Sequence, residues 1–153
     1  MTPTFTYIIK KLSLTLLISL SSIIFAKEEA SIFTKNKYGF EEKTGSVRES
    51  SSKDRKDIYT KNKYGFEEKT GSVRESSSSE RKDVYSKNKY GFEERTGSIR
   101  ESSSSGQKDI YTKNKYGFEE KTGSLRENSS GGFDIYKKNK YGFKEKVGSV
   151  KSK

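Results

Sequence analysis

Carboxylates are the residues of this sequence whose type could support acid–base chemistry. The chain contains no histidine and no cysteine, which removes the usual nucleophile–base pairs, thiolate chemistry and the common zinc sites. The adjacent pair Glu67-Glu68 recurs along the chain. Neighbouring residues in a strand point to opposite faces, so such a pair cannot act together on one substrate. We therefore expect no catalytic residues, no metal site and no cofactor.

Two short motifs have a partial likeness to functional elements of other proteins. Lys43-Thr44-Gly45 matches one element of penicillin-binding proteins, but the companion Ser-Asp-Asn is missing. The stretch Gly39 to Ser46 has neither the spacing of a phosphate-binding loop nor a lysine after its second glycine. Neither motif predicts an enzyme.

A tandem repeat dominates the chain. The string Lys-Asn-Lys-Tyr-Gly-Phe occurs five times, and its tyrosines are spaced by 26, 26, 26 and 25 residues. A unique catalytic centre is not expected when each candidate residue occurs several times. We divide the chain into a lead-in at residues 27–31 and repeats at 32–57, 58–83, 84–109, 110–134 and 135–153, the last truncated and basic.

Residues 1–26 have the pattern of a secretory signal peptide. Lys10 and Lys11 precede an apolar run from Leu12 to Phe25, and Ala26 comes directly before a charged segment. The run is shorter than the roughly 20 residues of a membrane-spanning helix. We expect cleavage after Ala26 and a periplasmic or extracellular protein, with contact to a membrane only through the signal before its removal.

Turn chemistry within each unit predicts a β-hairpin. In the second unit, branched and aromatic residues at Ile58-Tyr59-Thr60 favour a strand. Asn62 and Gly65 then occupy the first and fourth positions of a type I turn, with Gly65 at positive φ. Phe66 to Arg74 would return as the second strand. The turn glycines are Gly39, Gly65, Gly91, Gly117 and Gly142.

A second glycine interrupts the returning strand of each unit. Phe66 and Val73 are seven residues apart, so strict alternation would place them on opposite faces. A bulge at Gly71 would bring both to one face, although the strand could also end there. The bulge glycines are Gly45, Gly71, Gly97, Gly123 and Gly148. Between units, the serine-rich and charged stretch from Glu75 to Lys82 predicts a flexible connector.

The predicted fold is mainly β, an array of short antiparallel hairpins with an aromatic-rich core behind a signal helix. Each unit offers few apolar side chains, so an isolated hairpin is marginal and the units must stack on one another. The terminal units differ from the middle ones, as expected where one face meets solvent. Low hydrophobicity with 35% charged residues favours the alternative of largely disordered repeats.

Charge is distributed unevenly along the repeats. Without residues 1–26 the chain keeps a net charge of +9, of which residues 135–153 contribute +6. This basic repeat could bind a protein or an anionic surface. The acidic pair that follows most copies of the repeated string argues against nucleic acid. The sequence itself does not identify the partner.

The units resemble short tandem repeats of exported bacterial proteins. The similarity rests on Tyr59 to Gly65 followed by Gly71-Ser72-Val73-Arg74, and it extends over residues 32–153. The resemblance implies no activity. We therefore expect a structural or multivalent binding module, with Tyr38, Tyr64, Tyr90, Tyr116 and Tyr141 as candidate partner-binding residues. In the alternative, the units are disordered linear motifs that a partner or a modifying enzyme recognises.

Overall fold

The computed structural model describes residues 29–78 and 80–152, which form ten β-strands. The predicted signal peptide lies outside these residues, and the described part contains no helix that could cross a membrane. The strands are β1 (Ala30–Lys35), β2 (Glu41–Glu49), β3 (Arg55–Lys61), β4 (Glu67–Glu75), β5 (Arg81–Lys87), β6 (Glu93–Glu101), β7 (Gln107–Lys113), β8 (Glu119–Glu127), β9 (Phe133–Lys138) and β10 (Lys144–Ser152).

The strands form one closed barrel of antiparallel hairpins. Each strand pairs with its neighbours along the chain, and β1 also pairs with β10, with Ile32 opposite Val150. The predicted mainly β fold built of repeated hairpins is confirmed. The expectation of terminal units that face solvent is wrong, because the first and last hairpins pair with each other. Closure satisfies the backbone groups that an open edge would expose.

A ring of aliphatic side chains fills the barrel. Every strand contributes one branched aliphatic residue, and each is only 0–3% exposed. Between hairpins these residues lie directly opposite one another, as Val47 and Ile58 do. The branched side chains suit a pleated interior. The ring consists of Ile32, Val47, Ile58, Val73, Val84, Ile99, Ile110, Leu125, Ile135 and Val150.

The predicted aromatic-rich core is therefore wrong. Tyr64 and Phe66 are exposed, and Phe66 precedes β4 rather than belonging to it. Tyr59 is half-buried on the outer wall, under the guanidinium of Arg48. The buried core is aliphatic apart from Phe133 at the start of β9, and the aromatic rings of the tips lie outside it.

A bulge lies within each hairpin at the second glycine. In β4 the register shifts opposite Ile58 and Tyr59, so that Gly71 faces Ile58 across the hairpin. A Cβ on Gly71 would lie 2.2 Å from the backbone carbonyl oxygen of Tyr85 in the next hairpin. Glycine therefore lets neighbouring hairpins approach closely. The bulge does not bring Phe66 and Val73 to one face, because Phe66 lies outside the strand.

The connectors between units are shorter than the sequence indicates. Glu75 ends β4, and Arg81 and Lys82 begin β5, so the stretch predicted as a flexible linker is partly strand. The first connector is closed by backbone bonds from Ser50 to Arg55 at 3.2 Å and from Arg55 to Ser52 at 3.1 Å. Arg55 to Asp57, which end the first repeat in sequence, thus belong to the hairpin of the second.

Replacing Gly71 with alanine should destabilise the barrel. The new methyl group meets backbone rather than a movable side chain, so we expect a loss of about 1–3 kcal/mol in the free energy of unfolding. Chemical denaturation followed by circular dichroism measures this loss. Ser77→Ala in an exposed connector is the control and should change stability by less than about 0.5 kcal/mol. Equal stability of the two variants would contradict the close approach seen here.

Candidate functional site

Each hairpin ends in a tip that its own asparagine holds rigid. The amide of Gly65 donates to the Asn62 carbonyl at 3.0 Å, and the amide of Asn62 donates to the Phe66 carbonyl at 2.8 Å. The Asn62 side-chain oxygen accepts from the amides of Tyr64 and Phe66, at 2.9 and 3.1 Å. Gly65 has φ of +87°. This is the geometry of a type I turn followed by a left-handed glycine.

The same turn occurs at all five tips. The asparagines Asn36, Asn88, Asn114 and Asn139 accept equivalent bonds at the same distances. We name the five tips together the aromatic crown: residues 35–40, 61–66, 87–92, 113–118 and 138–143.

Two aromatic side chains project from each tip of the aromatic crown. A tyrosine and a phenylalanine flank each turn glycine, and all ten rings are 70–71% exposed. Large apolar side chains gathered on one surface indicate an interaction site. The tyrosines are the five that the sequence analysis gave as candidate partner-binding residues. The phenylalanines are Phe40, Phe66, Phe92, Phe118 and Phe143.

The five tips lie at one height on one rim of the barrel. At every interface between hairpins the bulge glycine faces the same position of the neighbouring hairpin. These pairs are Gly45–Thr60, Gly71–Ser86, Gly97–Thr112, Gly123–Lys137 and Gly148–Thr34. Equal registers relate each hairpin to the next by the same rotation, and closure after five steps leaves no net rise along the axis.

Two lysines accompany the aromatic pair at each tip. In the first tip, Lys37 places its ammonium 4.8 Å from the centroid of the Tyr38 ring, and Lys35 is exposed at the end of β1. The ammonium–ring distance at the other tips is 4.7 or 4.8 Å. No tip contains an acidic residue. The aromatic crown is therefore both apolar and cationic.

The acidic residues behind the tips are bound by protein groups. Glu68 accepts a bond from the Asn62 side chain at 2.6 Å. Its neighbour Glu67 lies on the wall, where it pairs with Arg48 and accepts from Ser46 at 3.2 Å. The two members of the carboxylate pair thus have different partners, and they are not arranged around a common substrate position.

A band of cation–ring contacts and ion pairs surrounds the wall below the aromatic crown. Arginines from one hairpin lie over rings of the next, at 4.2 Å for Arg74 over Tyr85 and 4.3 Å for Arg100 over Tyr111. The same arginines pair with Glu93 and Glu119. Wall tyrosines are thus half-buried under arginines of the neighbouring hairpin, whereas tip tyrosines are mostly exposed.

The band changes where the chain ends meet. Lys144 stands where the other units have glutamate. At the closing interface, Glu41 lies 3.5 Å from Lys151 and 3.6 Å from Lys146. A 2.9 Å hydrogen bond to Asp134 raises the pKa of Lys146 above its ordinary value. Lys146 and Lys151 occupy the positions of Lys43 and Arg48, so Glu41 is paired across the closing interface as Glu67 is across the next one.

Asp57 is a strongly paired carboxylate of the wall. It accepts from Lys69 at 2.8 Å and from Arg55 at 2.9 Å. Burial alone would raise the pKa of Asp57, but the hydrogen bonds from these two cations outweigh it and lower the pKa below its ordinary value of 3.8.

Asp57→Asn should remove an acid-sensitive contribution to stability. A carboxyl with a lowered folded-state pKa stabilises the protein at neutral pH, and this contribution disappears as the pH falls through that pKa. We expect a loss of about 1 kcal/mol at pH 7, with a smaller difference from the parent near pH 2–3. Thermal melts across this range measure it, with exposed Asp54→Asn as control. A pH-independent difference would contradict the pairing.

Asn62→Ala should loosen one tip without unfolding the barrel. Two backbone amides lose their acceptor, so we expect a cost of about 1 kcal/mol. Hydrogen exchange at the amides of Tyr64 and Phe66 should accelerate, while the tip around Tyr90 stays protected. Lys63→Ala, in the same turn, is the control. Unchanged exchange at Tyr64 would show that the asparagine does not hold the tip.

The structure places the candidate residues of the sequence in distinct positions. The five tyrosines and their turn glycines form the aromatic crown, and the second set of glycines lies at the bulges. Sequence reasoning missed the phenylalanines as surface residues and assigned them to the core. Their position directly after the turn glycine was the available signal, because a strand that begins one residue later leaves them outside the sheet.

Among the described residues, no group of acidic side chains is arranged to hold a metal ion. Comparisons with other proteins identify no family. No protein-family model and no curated protein matches the chain. A crystal structure of a protein of unknown function from Bacteroides fragilis NCTC 9343 shares 12% identity at a TM-score of 0.37, covering 80% of this chain and 91% of that one.

Proposed function

We propose that the protein is an exported, non-enzymatic binding module that contacts its partner through all five tips of the aromatic crown. The observation that carries this proposal is the pattern of variation between repeats. The tip string is identical in all five copies. The buried ring, in contrast, alternates among isoleucine, valine and leucine.

The fold does not require this identity at the tips. The turn needs Asn62 and Gly65, but Lys61, Lys63 and Phe66 have exposed side chains. Packing constrains buried positions first. Constancy at the exposed tip positions beside variation in the buried aliphatic ring supports a role for the tips in binding.

Five equal tips on one rim favour multivalent attachment. A partner with several equivalent contact points gains avidity from each further tip, because later contacts form at high effective concentration. Weak contacts at the individual tips are then sufficient for tight binding of the whole protein. The alternative of disordered linear motifs loses support, because each tip is held in one conformation by its asparagine.

A graded series of variants tests the proposal. Tyrosine and phenylalanine are replaced with serine at one, two, three, four or five tips, and binding to bacterial envelope fractions is measured. Between five and one intact tips we expect a loss of about 10²- to 10⁴-fold in affinity. The matched control replaces Ser51, Ser77 and Ser103, at the opposite rim, with alanine. Equal binding by the parent and the variant with no intact tip would contradict the proposal.

A further inference from the structure

We propose that the aromatic crown docks the protein onto the surface of an anionic lipid bilayer, an inference that rests on the binding role proposed above. In this arrangement the barrel axis stands upright on the bilayer. The phenylalanine rings enter the acyl boundary, the tyrosine hydroxyls stay among the headgroups, and the lysines reach the phosphates. Aromatic and long cationic side chains favour this interface.

The symmetric arrangement of the five tips favours a partner with a uniform surface. Two kinds of surface readily engage five tips that lie at one height and are repeated around the axis by the same rotation. One is a partner with five matching pockets. The other is a plane whose chemistry is the same at every point. A bilayer satisfies all five tips without any matching of pockets.

Charge complementarity favours an anionic plane. Each tip adds two exposed lysines and no acid, so the rim has a concentrated positive field. The nearest glutamates point to protein groups, as Glu68 does to Asn62. Two copies meeting crown to crown would set lysine against lysine, which opposes self-association. Anionic headgroups instead attract each nearby lysine.

The structure also limits how deeply the protein enters. Directly after each of the first four tips comes a glutamate such as Glu41 or Glu67, engaged in ion pairs with lysines or arginines of the wall. These charges remain in the aqueous or headgroup layer, so penetration ends at the tip. The rigid turns keep the rings exposed before contact, and little conformational entropy is lost on docking.

A single tryptophan reports the depth of the tip, because the chain has no other. Phe92→Trp places it in the aromatic crown, and Ser103→Trp places the control at the opposite rim. The protein used in this experiment starts at Lys27, because the apolar run of residues 12–25 would itself bind lipid. It retains all ten strands. Vesicles are phosphatidylcholine alone or mixed with phosphatidylglycerol.

With anionic vesicles we expect a blue shift of the Phe92→Trp emission and quenching by brominated acyl chains. Ser103→Trp should show neither. Replacing phenylalanine with serine should weaken vesicle binding by about tenfold per tip. Replacing Lys37 and its four equivalents with glutamine should weaken binding to anionic vesicles by at least about 10²-fold. The substituted side chains are exposed, and thermal melts verify that each variant folds.

Three outcomes would overturn the inference. One is the absence of vesicle binding, and another is equal emission shifts at both rims. The third is binding to dextran sulfate as strong as to anionic vesicles without any emission shift, which would show attraction by charge alone. If vesicles fail while envelope binding still depends on the tips, only the lipid assignment fails. If the tips matter in neither assay, the proposed function fails as well.

Discussion

The pairing of β1 with β10 is the constraint on which the rest of the structure depends. It can form only if five identical steps around the axis return to the starting strand. Each step needs a bulge, because the bulge glycine allows the close approach of the next hairpin. The aliphatic ring, the common height of the tips and the band on the wall all follow from this closure.

The local parts of the structure could be predicted from the sequence, and the non-local parts could not. Asn62 and Gly65 determine their turn within four residues, so residue type alone indicated the hairpin. The position of Phe66 depends on which residue begins β4, and the burial of Val73 depends on a partner strand from another unit. Closure joins residues more than a hundred positions apart, and no local pattern contains that information.

The candidate site was predicted in part for the same reason. Tyr64 was singled out because it lies in the turn, and the turn is local. The phenylalanine rings of the tips were expected in the core because large aromatic side chains are usually buried. Their exposure follows from strand pairing, which places the aliphatic residues inside and starts each returning strand one residue after the phenylalanine. The fifth repeat indicated a basic tail, whereas the folded chain places lysines around the whole rim.

Because the register is equal at every interface between hairpins, one unit can be added or lost without disturbing the pairing of the others. Duplication or loss of one unit by unequal recombination changes the strand number by two, and it changes the number of tips by one. The circumference of the barrel and the number of tips therefore change together, because gaining or losing a whole unit alters both. The interior sets the limit, because each added hairpin widens the ring while contributing only two aliphatic side chains to fill it. The packing of isoleucine and valine side chains in the interior therefore limits how many tips the barrel can gain.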